Sequence, residues 1–246
     1  MKALALVTAA LAAACLAVGV AAENGGPAAE AELVEPPADH ESLPDPEQVG
    51  GEHNSVVHVA NLIYAGVKTS KCFSDHFLRR AENKSEISTS HRFHAVKLRS
   101  EDLYQYPFVI MTGEGDFRLA DRERENLKKY CEMGGLVLAS AGCSSSKWDA
   151  SFRREMRKIW PDAALEPIPM DHPVFHTVED IGKIKVKSGE ARPLEGLNVD
   201  GKLAIVYSRD GLNDTEHTSG CCCCGGNEIL NAEQINVNIL AYALAF

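Results

Sequence analysis

The stretch from Gly134 to Pro161, GGLVLASAGCSSSKWDASFRREMRKIWP, constrains the fold more than any other part of the chain. A glycine pair leads into Leu136, Val137, Leu138 and Ala139, a short apolar run without a charge. A run so short and dry reads as a strand covered on both faces, as in a parallel sheet. It gives way to Ser140-Ala141-Gly142-Cys143-Ser144-Ser145-Ser146, small residues that let the backbone turn sharply. A helix follows, for which Asp149 or Ser151 is the expected cap, with Phe152, Met156 and Ile159 on one face. Strand, tight turn and helix form the unit that presents ligands in α/β proteins, and Cys143 stands at its apex.

The same alternation runs through the rest of the chain. Strands are predicted at 56–66, 93–98, 106–111, 136–140, 184–186 and 203–207. Helices are predicted from Cys72 to about Lys84, from Asp121, after the Cys143 turn, and from Ala232 to Ala245. Pro107 sits where a strand begins and no ladder donor is lost. The expected architecture is a three-layer, doubly wound α/β fold around a mostly parallel sheet with right-handed crossovers.

The chain has 246 residues, 45% hydrophobic and 24% charged, enough for one sizeable core. Residues 1–22 stand apart: one lysine, a long apolar stretch and Val20-Ala21-Ala22 before Glu23 read as a secretory signal peptide. The expected location is therefore periplasmic or secreted, with no membrane span after cleavage. An uncleaved N-terminal anchor is the alternative. Residues 23–54 are rich in Pro, Gly, Ala and acids and read as a disordered linker, leaving 55–246 as a single domain. The formal net charge of −10 argues against nucleic acid and anionic lipid as partners. The one dense basic patch, Arg153-Arg154 with Arg157-Lys158, is expected to be a solvated helix face.

Several motifs occur together and in order. Tyr106-Pro107-Phe108 leads to Thr112-Gly113-x-Gly115-x-Phe117, and Gly134-Gly135 opens the next strand. Ser151-Phe152-Arg153-Arg154-Glu155-Met156, Asp171-His172-Pro173-Val174-Phe175 and Val206-Tyr207-Ser208-Arg209-Asp210 complete the set. With these the chain resembles the bacterial family of unknown function numbered 4159. The resemblance implies a flavodoxin-like domain of the class I glutamine amidotransferase type and leaves the activity open. Two positions depart from the pattern: Glu114 stands where members often carry His, and Ser140-Ala141 where they often carry acids.

In open α/β sheets ligands collect at the carboxyl ends of the strands. Four such ends are rich in small and polar residues: 64–71, 112–116, 140–146 and 208–226. On this rim Thr112, Gly113, Glu114, Asp116, Ser140, Ser144, Ser208 and Asp210 are the candidate ligand-binding residues, for a small molecule or a partner protein. Tyr64 and Trp148 are candidates to stack on a sugar, and His172 and His176 to approach the same rim. A thiol-dependent hydrolase or transferase is the second reading. There Cys143 is the nucleophile, near a helix N-terminus that favours its thiolate, His217 is the base, and Glu216 or Asp214 orients it. The third reading is a metal-binding or redox protein using Cys221, Cys222, Cys223 and Cys224. Four adjacent cysteines match no standard zinc spacing. Two of them with His217 or Cys143 would suit zinc or another soft metal, and disulfides in an oxidising compartment are the structural alternative. Thr112-Gly113-Glu114-Gly115 lacks the lysine and the third glycine of nucleotide-binding loops.

Overall fold

A computed structural model describes residues 56–66, 73–213 and 227–246. Seven strands form one sheet: β1 (Val59–Ile63), β2 (His94–Lys97), β3 (Phe108–Gly113), β4 (Leu136–Ala141), β5 (Glu166–Pro167), β6 (Glu195–Val199) and β7 (Lys202–Ser208). Their spatial order is β2-β1-β3-β4-β7-β6-β5. The five strands from β2 to β7 run parallel, and β6 and β5 add an antiparallel edge. β3 and β4 are buried throughout, which is why both read as unbroken apolar runs rather than alternating ones.

Helices cover both faces. α2 (Asp121–Glu132) and α3 (Ser146–Ile159) set Leu127, Tyr130, Phe152 and Met156 on the face carrying Val109, Val137, Ile205 and Tyr207. α1 (His76–Lys84) and α4 (Ala232–Ala245) set Phe77, Leu78, Ile235 and Ile239 on the face carrying Val59, Ile110, Leu138 and Val206.

Three local expectations are corrected. The cap of α3 is Ser145, whose hydroxyl accepts from the Trp148 amide at 3.3 Å, so Asp149 and Ser151 lie inside the helix. Residues 184–186 join no strand of the sheet and form one isolated bridge, Val186 to Ile229. They belong to a strap laid over α4 and pinned by asparagines. Asn238 Oδ1 accepts from the amides of Val178 and Glu179 at 3.1 and 2.8 Å, and Asn231 Oδ1 accepts from that of Lys185 at 2.8 Å. The strand in that region is β6, formed where Glu195-Gly196-Leu197-Asn198-Val199 pairs with β7 through the turn at Asp200-Gly201.

Three cations of the basic patch on α3, Arg153, Arg154 and Lys158, are drawn into ion pairs, while Arg157 lies on the exposed face as expected. Glu155, fully buried, receives Lys158 at 2.8 Å, Arg124 at 3.1 Å and Arg154 at 3.2 Å. Arg153 turns the other way, to Glu195 and Asp149. Among the described residues no helix is long and apolar enough to cross a membrane.

Candidate functional site

Because β1, β3, β4 and β7 are parallel neighbours, their carboxyl ends open on one edge of the sheet. The described parts of the four loops meet there. The floor is aromatic. Tyr64, from the end of β1, donates its hydroxyl to Thr112 O at 3.0 Å and accepts from Trp148 Nε1 at 2.6 Å. Phe117, Phe152 and Tyr207 pack around Trp148. Tyr64 and Trp148 are 3% and 1% exposed, so neither offers a ring face to a sugar; both support the loops from below. Gly113 must be glycine here, because a Cβ would sit 2.7 Å from both the Tyr64 hydroxyl and Trp148 Nε1.

Above that floor the β4–α3 turn is tightly wound. Cys143 has φ 50° and ψ 31°, and Ser144 has φ 51°. Two consecutive non-glycine residues in the left-handed region are costly, at about 1–2 kcal/mol each, and such backbone persists only where its surroundings enforce it. The surroundings are visible. Ser145 donates to Glu114 O, Ser144 donates to Asn227 O at 2.8 Å, and Gly142 abuts the Glu114 side chain so closely that a Cβ would lie 2.9 Å from its Cγ. The thiol of Cys143, partly exposed, donates to Glu114 Oε1 at 3.6 Å. Cys131, by contrast, is buried in α2, and that burial pushes its thiol well above the usual range.

The other candidates separate into two groups. Thr112, Ser140 and Ser208 face one another in register across β3, β4 and β7, and are 1%, 0% and 2% exposed. Ser140 Oγ accepts from Leu212 N at 3.1 Å and Ser208 Oγ donates to Asp210 O at 2.7 Å. Asp210 is buried with Arg192 at 3.4 Å and Asn227 at 3.5 Å. These side chains hold the loop after β7 onto the sheet. The Thr112 hydroxyl, buried and without a hydrogen-bond partner, is the exception. Asp116 turns toward the middle of α3, where Ser151 at 2.6 Å and then Arg154 at 3.2 Å hold its carboxyl below the usual range. What remains accessible around Cys143 is Glu114, Ser144 and Ser145.

His217, Glu216, Asp214 and Cys221 to Cys224 lie outside the described residues. Among the described residues no three His, Cys, Asp or Glu side chains converge to hold a metal. His172 and His176 are not on this rim. His172 packs on Tyr242 in the last turns of α4, beside the amino ends of β4 and β7, and His176 binds Asp180 and Met170 O.

Sequence reasoning missed two supporting residues. Glu123 accepts from Ala65 N and Ala120 N, both at 2.8 Å, and so ties the end of β1 to the start of α2. Its signal is an acid three residues after the cap position Ala120, as in a capping box. Asp149 accepts from the Tyr207 hydroxyl at 2.6 Å and from Arg153 at 2.7 Å. Burial works against its charge, but these two donors and Arg209 outweigh it and hold the carboxyl below the usual range. No curated protein matches the chain. The model of one family, the domain of unknown function DUF4159, matches residues 58–244, and the chain belongs to that family.

Proposed function

We propose that the chain is an exported protein whose rim binds a small ligand and acts on it through the Cys143 thiol, as a thiol-dependent hydrolase or transferase. One observation carries this. A partly exposed cysteine occupies the left-handed apex of a strand–turn–helix, at hydrogen-bond reach of the Glu114 carboxylate on the neighbouring strand end. Nucleophilic side chains are held on such strained elbows in other α/β enzymes, where the turn pushes the reacting atom clear of the sheet. The parallel strand order β2-β1-β3-β4-β7 supports a flavodoxin-like assignment, since it has the 2-1-3-4-5 sequence of that doubly wound class.

In this reading Glu114 accepts the thiol proton as sulfur adds to an acyl carbon. The proton then passes to the leaving group as the carbon–leaving-group bond breaks. Water, or an acceptor nucleophile, cleaves the thioester and returns the thiol. The basis for export is the apolar segment 1–22, and a mature start at Glu23 in the intact mass is its test.

The test of the chemistry is turnover on a panel of small esters, thioesters and amides by wild type, Cys143→Ala and Glu114→Gln. The proposal expects loss of turnover in Cys143→Ala with the fold retained, and at least a hundredfold loss in Glu114→Gln. Equal turnover in wild type and Cys143→Ala would leave the rim as a binding site only. That second reading rests on Glu114, Ser144 and Ser145, which stay accessible around Cys143, whereas Ser140, Ser208 and Asp210 are engaged in holding the loops.

A further inference from the structure

At the opposite, amino-terminal end of the sheet, two imidazoles face each other. His58 immediately precedes β1 and His94 opens β2, the edge strand, with His94 in register with Ala60. His58 Nδ1 lies 3.0 Å from His94 Nε2. The rings stand edge to face, their planes at 89° and their centroids 4.8 Å apart. Both are partly exposed, and the ring of Tyr106 backs His94 at 5.8 Å.

We propose that His58 and His94 form a two-nitrogen chelating site for a late first-row divalent metal ion, copper(II) foremost. For metal–nitrogen bonds of about 2.0–2.1 Å, two nitrogens on one ion lie about 2.8 Å apart at a right angle and about 3.4 Å apart in a tetrahedron. The observed 3.0 Å falls inside that interval, so the backbone already holds the two donors at a ligand bite. The mutually perpendicular rings also avoid the clash that two coplanar imidazoles would make on one ion. Neutral imidazole is the ligating form. In the neutral pair one facing nitrogen carries the bridging proton. On binding, that proton moves to the far nitrogen of the same ring, so both facing lone pairs reach the ion and no net proton is released. No third side chain converges among the described residues, so water completes the shell. Copper(II) leads the affinity order for nitrogen donors and accepts cis ligands at a right angle. The site is separate from the Cys143 rim, and its failure leaves the proposed function untouched.

The test is titration of copper(II) into the full chain after alkylation of its accessible thiols, followed by electron paramagnetic resonance. Wild type is compared with His58→Gln and His94→Gln, each checked for folding by circular dichroism. The expected result is one ion showing imidazole nitrogen splitting in wild type, with about tenfold or greater weakening and one fewer nitrogen in each variant. Unchanged affinity and spectrum in folded variants would reduce the pair to an ordinary hydrogen bond and overturn the proposal. A second measurement needs no variant. Substoichiometric copper(II) must broaden the ring resonances of His58 and His94 before those of His91, His172 and His176, and broadening elsewhere first also overturns it.

Discussion

Arg153 grips Glu195 with both terminal nitrogens, Nη1 to Oε2 at 2.7 Å and Nη2 to Oε1 at 2.8 Å. The planar guanidinium matches the carboxylate edge, and the pair joins α3 to β6, the strand that turns the sheet antiparallel. Its Nε holds Asp149, and its guanidinium carbon Cζ lies over the Tyr207 ring at 5.1 Å.

Arg153→Ala should therefore cost about 2 kcal/mol in urea denaturation, because both carboxylates are mostly shielded from water and lose their donor. Arg153→Lys keeps the charge without the fork and should recover less than half of that. The loss should be local as well, with faster amide exchange at Leu197 and Val199 than at Val137. Uniform exchange across the sheet would show that the pair does not anchor the edge.

The hydroxyl of Tyr64 joins two elements by accepting from Trp148 and donating to Thr112 O. Tyr64→Phe leaves a buried indole N–H with no acceptor, at a cost of about 1–3 kcal/mol. Gly113→Ala drives a methyl into the same junction and should cost about 1–3 kcal/mol by overpacking. Both should change the Trp148 fluorescence contribution, and the double variant should cost less than the two losses added, since they disrupt one contact. Strict additivity would mean that the two residues act separately.

Glu155 is a buried carboxylate among three cations. Burial pushes its pKa up, but Lys158 and Arg154, with Arg124, outweigh it and leave it below the usual range. Glu155→Gln should cost about 2 kcal/mol at pH 7, less than a fully buried pair because the cations are partly exposed. A carboxyl depressed in the folded state stabilises above its unfolded pKa of about 4.3 and loses that contribution as pH falls through the folded value. The stability gap between wild type and Glu155→Gln should thus close below about pH 4.3. A gap unchanged down to pH 3 would assign the loss to packing instead of charge.

Much of this frame is legible in the sequence, and its misses share a cause. Leu136 to Ala139 and Ala232 to Ala245 are read correctly because an apolar run or a helical period decides them locally. β6 escapes because Gly196 and Asn198 are weak strand formers, and only pairing with β7 makes the segment extended. Residues 184–186 look like a strand but do not join the sheet, since Asn231 at the start of α4 holds Lys183 and Lys185. The ions on α3 look solvated because the partners of Arg153 and Glu155, Glu195 and Arg124, are 42 and 31 positions away in the chain. At the rim, the sequence singles out the Cys143 turn. It cannot show that Thr112, Ser140 and Ser208 share one buried row, because that depends on strand register.

The histidines should titrate in opposite directions. Burial, then His94, lowers His58; burial, partly countered by Asp171, lowers His172. His176 is raised, first by the Met170 carbonyl and then by Asp180. A lowered imidazole costs stability as pH falls below about 6.5, whereas a raised one contributes below that pH and loses its contribution as pH rises through the folded value. Ring resonances followed by NMR should place His58 and His172 below about 6.5 and His176 above it. Either His58 or His172 titrating above His176 would contradict the packing described for them.

Cys143 offers a sharper separation of stability from function. Its backbone sits at φ 50°, ψ 31°, where glycine suffers no Cβ penalty. Relief of about 1–2 kcal/mol of strain is set against about 0.5–1 kcal/mol of extra unfolded-state entropy for glycine. Cys143→Gly should therefore match or exceed wild type by about 1 kcal/mol in urea denaturation, while a residue merely packed as a small hydrophobe would lose stability when truncated. In the same samples iodoacetamide should label Cys143 in wild type far faster than Cys131, whose buried thiol is protonated and shielded. A glycine variant that is more stable and has lost turnover would show that the elbow keeps its cysteine against a conformational cost. A glycine variant that is destabilised and still active would remove the thiol from the chemistry and return the rim to a binding role.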